Sequence, residues 1–178
     1  MYRKLTSIFI LCISALVGCH HDTGAGPVPN ASQIKASFNP SASPGNIRLA
    51  LESAQGDIVS LDVIADSAPQ FTGMAFKISY DNTIAQFIGC DPGQILETSA
   101  TPLYAAAIIN GIEGHIAVGA SLKRGDTMVS GTGTILKLRF KVIARGNTAL
   151  TFYENVLRDN TFSELSGLTW STGTITGT

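Results

Sequence analysis

The chain has 178 residues, 44% of them apolar and 14% charged, with 18 glycines and a formal net charge of −1. That length holds one ordinary domain and a short appendage. The apolar content excludes a wholly disordered chain, and the lack of a basic excess excludes a binder of phosphate backbones, so no nucleic-acid partner is expected.

In chain order the first element is MYRKLTSIFILCISALVGC at 1–19. Arg3 and Lys4 precede an apolar run from Ile8 to Val17, too short to span a bilayer, which takes about 20 apolar residues. The run ends in Leu16-Val17-Gly18-Cys19, which resembles the lipobox of bacterial lipoproteins. The resemblance implies a signal peptide over 1–18, cleavage before Cys19, and a diacylglyceryl group on the Cys19 sulfur. Membrane contact is then expected through the lipid anchor alone, its acyl chains adding about 0.8 kcal/mol per buried CH₂. His20 stands where inner-membrane lipoproteins commonly carry Asp, so the resemblance implies the outer membrane of a diderm cell. Cleavage removes Arg3 and Lys4 and no acid, leaving 10 basic against 13 acidic residues.

Residues 20–45 (HHDTGAGPVPNASQIKASFNPSASPG) are rich in Gly, Pro, Ser and Ala without sustained periodicity. With the lipidated Cys19 they read as a flexible linker over 19–45, with a maximal reach of about 85 Å. His20 and His21 lack the further ligands that a closed metal site needs, and are expected to be solvated. Cys12 leaves with the signal and Cys19 carries lipid, so only Cys90 remains and no intramolecular disulfide is available. Beside Phe87-Ile88-Gly89, Cys90 is expected to act as a small buried hydrophobe.

From Ile47 the hydrophobic period becomes two. Ile47, Leu49 and Leu51 alternate with polar or small residues, as do Val59, Leu61 and Val63, then Met74, Phe76, Ile78 and Tyr80. Ile116 and Val118 follow, then Leu136, Leu138, Phe140 and Val142, then Leu150 and Phe152, with Thr174-Ile175-Thr176 closing the chain. Each set turns one apolar face inward. Turn signals lie between them, among them Gln55-Gly56-Asp57, Asn110-Gly111, Arg124-Gly125-Asp126 and Arg145-Gly146-Asn147. About nine strands at this spacing predict an all-β sandwich or jelly roll over 46–178. Leu103 to Ile109 is open between a strand and a helical turn, because Ala105-Ala106-Ala107 suits either.

These pieces in this order are similar to a known family. Phe76-Lys77-Ile78-Ser79-Tyr80-Asp81, then Phe87 through Asp91-Pro92-Gly93 to Leu96, then Gly131-Thr132-Gly133 with Leu138-Arg139-Phe140-Lys141-Val142, and a final Gly-Thr-Ile-Thr strand resemble a cohesin domain over about 45–178. The resemblance implies a nine-stranded jelly-roll β-sandwich of cohesin type, without catalytic activity or cofactor, that binds a protein partner. In cellulosomes that partner is a dockerin, a small calcium-loaded helical module, so a dockerin-like partner is the expectation. Cohesins that bind cellulosomal dockerins often carry Asn and Asp, one residue apart, just before the Phe-x-x-x-Tyr-Asp strand. The matching positions here are Gly73 and Ala75, which points to a different partner or dockerin class.

Carbohydrate-binding modules share the sandwich architecture, so polysaccharide is the alternative ligand, with exposed Tyr104, Tyr153 or the single Trp170 as stacking platform. Asp81, Asn82 and Asp91 offer oxygens for calcium, yet turn chemistry explains them as well, and turns are the expectation. Glu97, Glu113, Glu154 and Glu164 show no spacing that pairs them for glycoside cleavage. His115 lies in strand patterning, with no Gly-x-Ser-x-Gly elbow in the chain, and is expected to point outward.

Overall fold

A computed structural model describes residues 33–97, 103–109, 113–123 and 125–178. The expected signal segment 1–18, the expected lipidation site Cys19, the His20-His21 pair and residues 22–32 lie outside the described residues. Ser32–Thr178 forms one compact unit with its own continuous core, the property of a domain that folds on its own.

The described residues hold eleven strands and one helical turn. They are β1 Ala36–Pro40, β2 Ile47–Gln55, β3 Ile58–Phe71, β4 Gly73–Ser79, β5 Ala85–Pro92, α1 Gln94–Glu97, β6 Leu103–Ile108, β7 His115–Ser121, β8 Val129–Val142, β9 Gly146–Arg158, β10 Trp170–Ser171 and β11 Gly173–Gly177. Six strands form one sheet in the order β1-β11-β9-β4-β7-β6, and five form the other in the order β10-β2-β3-β8-β5. The alternation in the sequence puts Phe76 and Ile78 of β4, Ile116 of β7, Leu61 of β3, and Leu138 and Phe140 of β8 at 1% exposure or less between the sheets. Burying each such side chain contributes roughly 1.5–3 kcal/mol. The all-β sandwich is therefore as expected.

Three local features differ from the sequence reading. The domain begins earlier than residue 46, because β1 lies inside the segment taken for linker. It pairs antiparallel with β11 and buries Ala36 and Phe38. Two apolar positions among Ser, Asn and Pro are too few to show a period. Leu103–Ile108 is a strand, with residues 103 to 108 in unbroken antiparallel register with β7. Its alanines are helix formers, but the sheet edge overrides propensity, and Ala106 packs against the core. A single helical turn, α1, buries Ile95 and Leu96 over β8. It is too short to leave a periodic signal.

Candidate binding face

Each strand of the six-stranded sheet has an inner and an outer row. In β4 the inner row is Met74, Phe76 and Ile78, so Gly73, Ala75, Lys77 and Ser79 face outward. The register sets Gly73 beside Ser121, Ala75 beside Gly119, Lys77 beside Ala117 and Ser79 beside His115 of β7. On β6, Leu103, Ala105 and Ala107 continue those rows, and on β9, Val156 lies beside Ala75 and Arg158 beside Gly73. One row across the sheet thus reads Val156, Ala75, Gly119, Ala105. No side chain in it is larger than valine, and a Cβ added at Gly119 would meet nothing within 4 Å. The result is a flat floor of small apolar residues, bordered at one side by Leu103, which is 58% exposed.

The other end of the face is polar and tied together. Lys77 forms an ion pair with Glu154, and its Nζ lies 5.7 Å from the centre of the Tyr153 ring. The Tyr153 hydroxyl and His115 Nδ1 are hydrogen-bonded at 2.8 Å, and the two rings meet edge-on at 5.6 Å. The hydrogen bond that the Lys77 ammonium donates to Glu154 holds its pKa above the ordinary value. His115 points outward as expected, and Lys77, Glu154 and Tyr153 were not singled out together by the sequence. The signal was present: Lys77 and His115 each occupy an outward parity position of a predicted strand.

The outer face of the five-stranded sheet is closed upon itself. Its strand β8, between β3 and β5, presents Lys137, Arg139 and Lys141, and each meets a different acid. Lys137 pairs with Glu52, Arg139 Nη2 with Asp91 Oδ2 at 3.2 Å, and Lys141 Nζ with Asp57 Oδ2 at 3.6 Å. Asp62 sits among them with Oδ1 buried and without a hydrogen-bond partner. Burial raises its pKa, aided by neighbouring Glu52 and opposed by Lys137. With the three cations of β8 already matched, this face offers less unspent chemistry than the bare floor on the other side.

Gly73 and Ala75 both lie on that floor, so the structure places together the two positions picked out by family resemblance. Tyr104 does not join them. It aligns with inward-facing Ala120 and is 40% exposed only because β6 lies at the sheet edge. Trp170 is no stacking platform: its ring lies 5.9 Å from Phe76 and 5.1 Å from Phe152, as a half-buried plug over the core. Asp81 lies in the turn before β5 and Asp91 near the far end of that strand, and among the described residues no group of three or more His, Cys, Asp or Glu side chains is placed to hold a metal ion. Asp81 Oδ1 instead accepts from the Thr83 N–H at 2.8 Å and the Thr83 hydroxyl at 2.6 Å, an Asx turn that lowers its pKa. The acids considered for catalysis are dispersed: Glu113 accepts from Asn82, Glu154 pairs with Lys77, and Glu164 bridges Arg158 through the backbone. Cys90 is half-buried, and burial pushes its thiol pKa up, which favours the inert thiol.

No curated protein sequence matches the chain. Solved structures match its fold. The second type II cohesin module of the ScaA scaffoldin from Acetivibrio cellulolyticus has a TM-score of 0.61 at 16% identity, over 76% of this chain and 98% of that one. The non-cellulosomal cohesin of the hyperthermophilic archaeon Archaeoglobus fulgidus has a TM-score of 0.57 at 19% identity, over 74% and 89%. The sixth cohesin of scaffoldin B from Acetivibrio cellulolyticus, solved in complex with a Cel5 dockerin mutant, has a TM-score of 0.55 at 18% identity, over 73% and 98%. The cohesin domain family model matches residues 47–177, and the chain therefore belongs to the cohesin domain family of non-catalytic protein-binding modules.

Proposed function

We propose that this chain is a lipid-anchored adaptor that docks a protein partner, of dockerin-like type, on the outer face of β9-β4-β7-β6. The observation that carries the reading is the floor formed by Val156, Ala75, Gly119 and Ala105. Flat, bare backbone with short apolar side chains lets another protein approach closely over a continuous area, which suits a protein surface better than a small molecule. A relative solved with a bound dockerin mutant supports this class of partner. Gly73 and Ala75 supply no side-chain hydrogen bonds where dockerin-binding cohesins often have Asn and Asp. Each missing bond is worth about 0.5–1.5 kcal/mol, so the partner is recognised through apolar contact at this position and differs from an ordinary cellulosomal dockerin. The anchor reading rests on Leu16-Val17-Gly18-Cys19, and location on an outer membrane rests on His20 after it.

The test is affinity capture from envelope and secreted extracts of the source cell, with residues 32–178 as bait and Ala75→Arg and Gly119→Arg baits as controls. A stoichiometric protein held by the native bait and lost from both variants is the expected result. A protein held equally by all three would place docking elsewhere. Retention of polysaccharide and no protein would replace the reading with a carbohydrate-binding one.

A further inference from the structure

Among the described residues the most exposed large apolar side chain is Phe162, at 76%. It stands in the hairpin after β9 with a left-handed backbone, φ 65°, a conformation unfavourable for a residue with a Cβ. A set of hydrogen bonds holds it there. The Phe162 N–H donates to the Asp159 carbonyl at 3.1 Å, and Arg158 Nη1 donates to the Phe162 carbonyl at 2.7 Å. Asp159 Oδ1 accepts from the N–H groups of Thr161 at 2.8 Å and Ser163 at 3.0 Å. The Thr72 hydroxyl ties the hairpin to the sheet by donating to the Asp159 carbonyl at 2.7 Å. Strain maintained around a side chain that lies outside the core cluster points to a role outside the fold.

The hairpin adjoins the candidate binding face. The register places Arg158 of β9 beside Gly73, and Gly73 beside Ser121. This row borders the floor of Val156, Ala75, Gly119 and Ala105. Between Ser121, Leu122, Thr72 and Phe162 lies a cavity of about 420 Å³. Ser121 belongs to the row and lines the cavity, and Arg158 belongs to the row and grips the hairpin, so floor and cavity adjoin. The described chain enters the domain elsewhere. Ala36 pairs with Gly177, and Gly177 with Gly146 at the start of β9, whereas Phe162 follows the end of that 13-residue strand.

We propose that Phe162 is an anchor residue of the docking face: the protein that covers the floor also covers Phe162 and seats an apolar side chain in the cavity beside its ring. The inference rests on the docking function proposed above. Continuity argues for the same partner as occupant, because a protein lying on Ala75 and Gly119 reaches Ser121 and the cavity across one further row. The composition of the face argues for it too. Binding energy concentrates in a few large side chains, and a floor of glycine, alanine and valine supplies area without an anchor. Phe162 supplies one, and its backbone is already fixed, so little freedom is lost when the partner lands. Gly73, in the row beside the cavity, offers the partner no side-chain hydrogen bond, which matches recognition by apolar contact at this end.

The probe is the protein that residues 32–178 recover in stoichiometric amount from envelope and secreted extracts, identified by mass spectrometry, purified, and titrated calorimetrically against variants. Phe162→Ala should weaken binding about thirtyfold, with thermal unfolding unchanged. Leu51→Ala, which truncates an exposed side chain of β2 in the other sheet, should bind as the native domain does, and Ala75→Arg should not bind. Native affinity in Phe162→Ala with none in Ala75→Arg overturns the anchor and leaves the docking face standing. Binding that survives Ala75→Arg overturns both, whatever Phe162→Ala does, and so does recovery of no protein. A clear fall in melting temperature in Phe162→Ala would mean that the chain itself covers the ring, and overturns the anchor alone.

Discussion

Lys77 and Glu154 are joined across the β4–β9 seam where β9 bulges, and Glu154 adopts a left-handed backbone, φ 48°, at that point. Between the pairs Ala75–Val156 and Lys77–Tyr153, two residues of β9 oppose the single Phe76. The bulge thereby turns Glu154 toward Lys77 on the outer face.

Left-handed backbone is unfavourable for a residue with a Cβ, by about 1 kcal/mol or more. Glu154→Gly should therefore be about 1 kcal/mol more stable than Glu154→Ala, since both lose the exposed ion pair and only one loses the conformational penalty. Equilibrium urea unfolding of the two variants measures this. Equal stability would show that the bulge relaxes freely.

Asp62 sets a pH dependence. Its pKa in the folded protein lies above the ordinary 3.8, chiefly through burial. A raised acid pKa means that the folded state prefers the protonated form. That stabilisation is complete below the unfolded pKa and lost as pH rises through the folded pKa. At neutral pH the ionised Asp62 is then a burden on the fold, with Oδ1 unpartnered. Asp62→Asn should raise the melting temperature at about pH 7, and the gain should vanish at about pH 3. Calorimetric scans at both values test it, and a gain that is constant with pH would exclude the ionisation as its cause.

The sandwich was legible because β2, β3, β4, β7 and β8 each bury one side only, so the period of two appears directly in residues such as Met74, Phe76 and Ile78. What escaped were the elements whose burial is not periodic. β1 has only Ala36 and Phe38 to show, and α1 hides Ile95 and Leu96 in a single turn. The candidate face was half legible. Resemblance located Gly73 and Ala75, but the floor also needs Gly119, Ala105 and Val156 from three other strands. Their alignment is a matter of register, which no local sequence signal encodes. Trp170 was open for a related reason: a lone tryptophan is more often a core plug, Thr169 and Ser171 beside it allow exposure, and the Phe76 and Phe152 rings that pack on it are remote in sequence.

The core ranks its aromatic residues. Phe140 is fully buried and touches both Tyr80 and Phe87, with ring centres at 5.4 and 5.6 Å. Phe140→Ala should cost about 3–5 kcal/mol, as truncation of a buried aromatic does. Tyr80 lies at the rim and is only partly buried, so Tyr80→Ala should cost clearly less. Because Trp170 is the single tryptophan, its emission reports the region directly, and unfolding should shift it to longer wavelength. Chemical denaturation followed by that emission supplies both the ranking and the check on Trp170 packing.

The proposed membrane tether can be tested apart from the fold. The described core starts at Ala36, 17 positions after Cys19 in the sequence. A change at Cys19 therefore alters no side chain of the sandwich. Cys19→Ala should abolish metabolic labelling with a radioactive fatty acid and move the protein from the membrane to the soluble fraction, with its thermal unfolding unchanged. Retention of label or of membrane association in the variant would remove the lipid anchor from the proposed function and leave the docking face untouched. The two halves of the proposal stand on different residues for that reason, and each can fail alone.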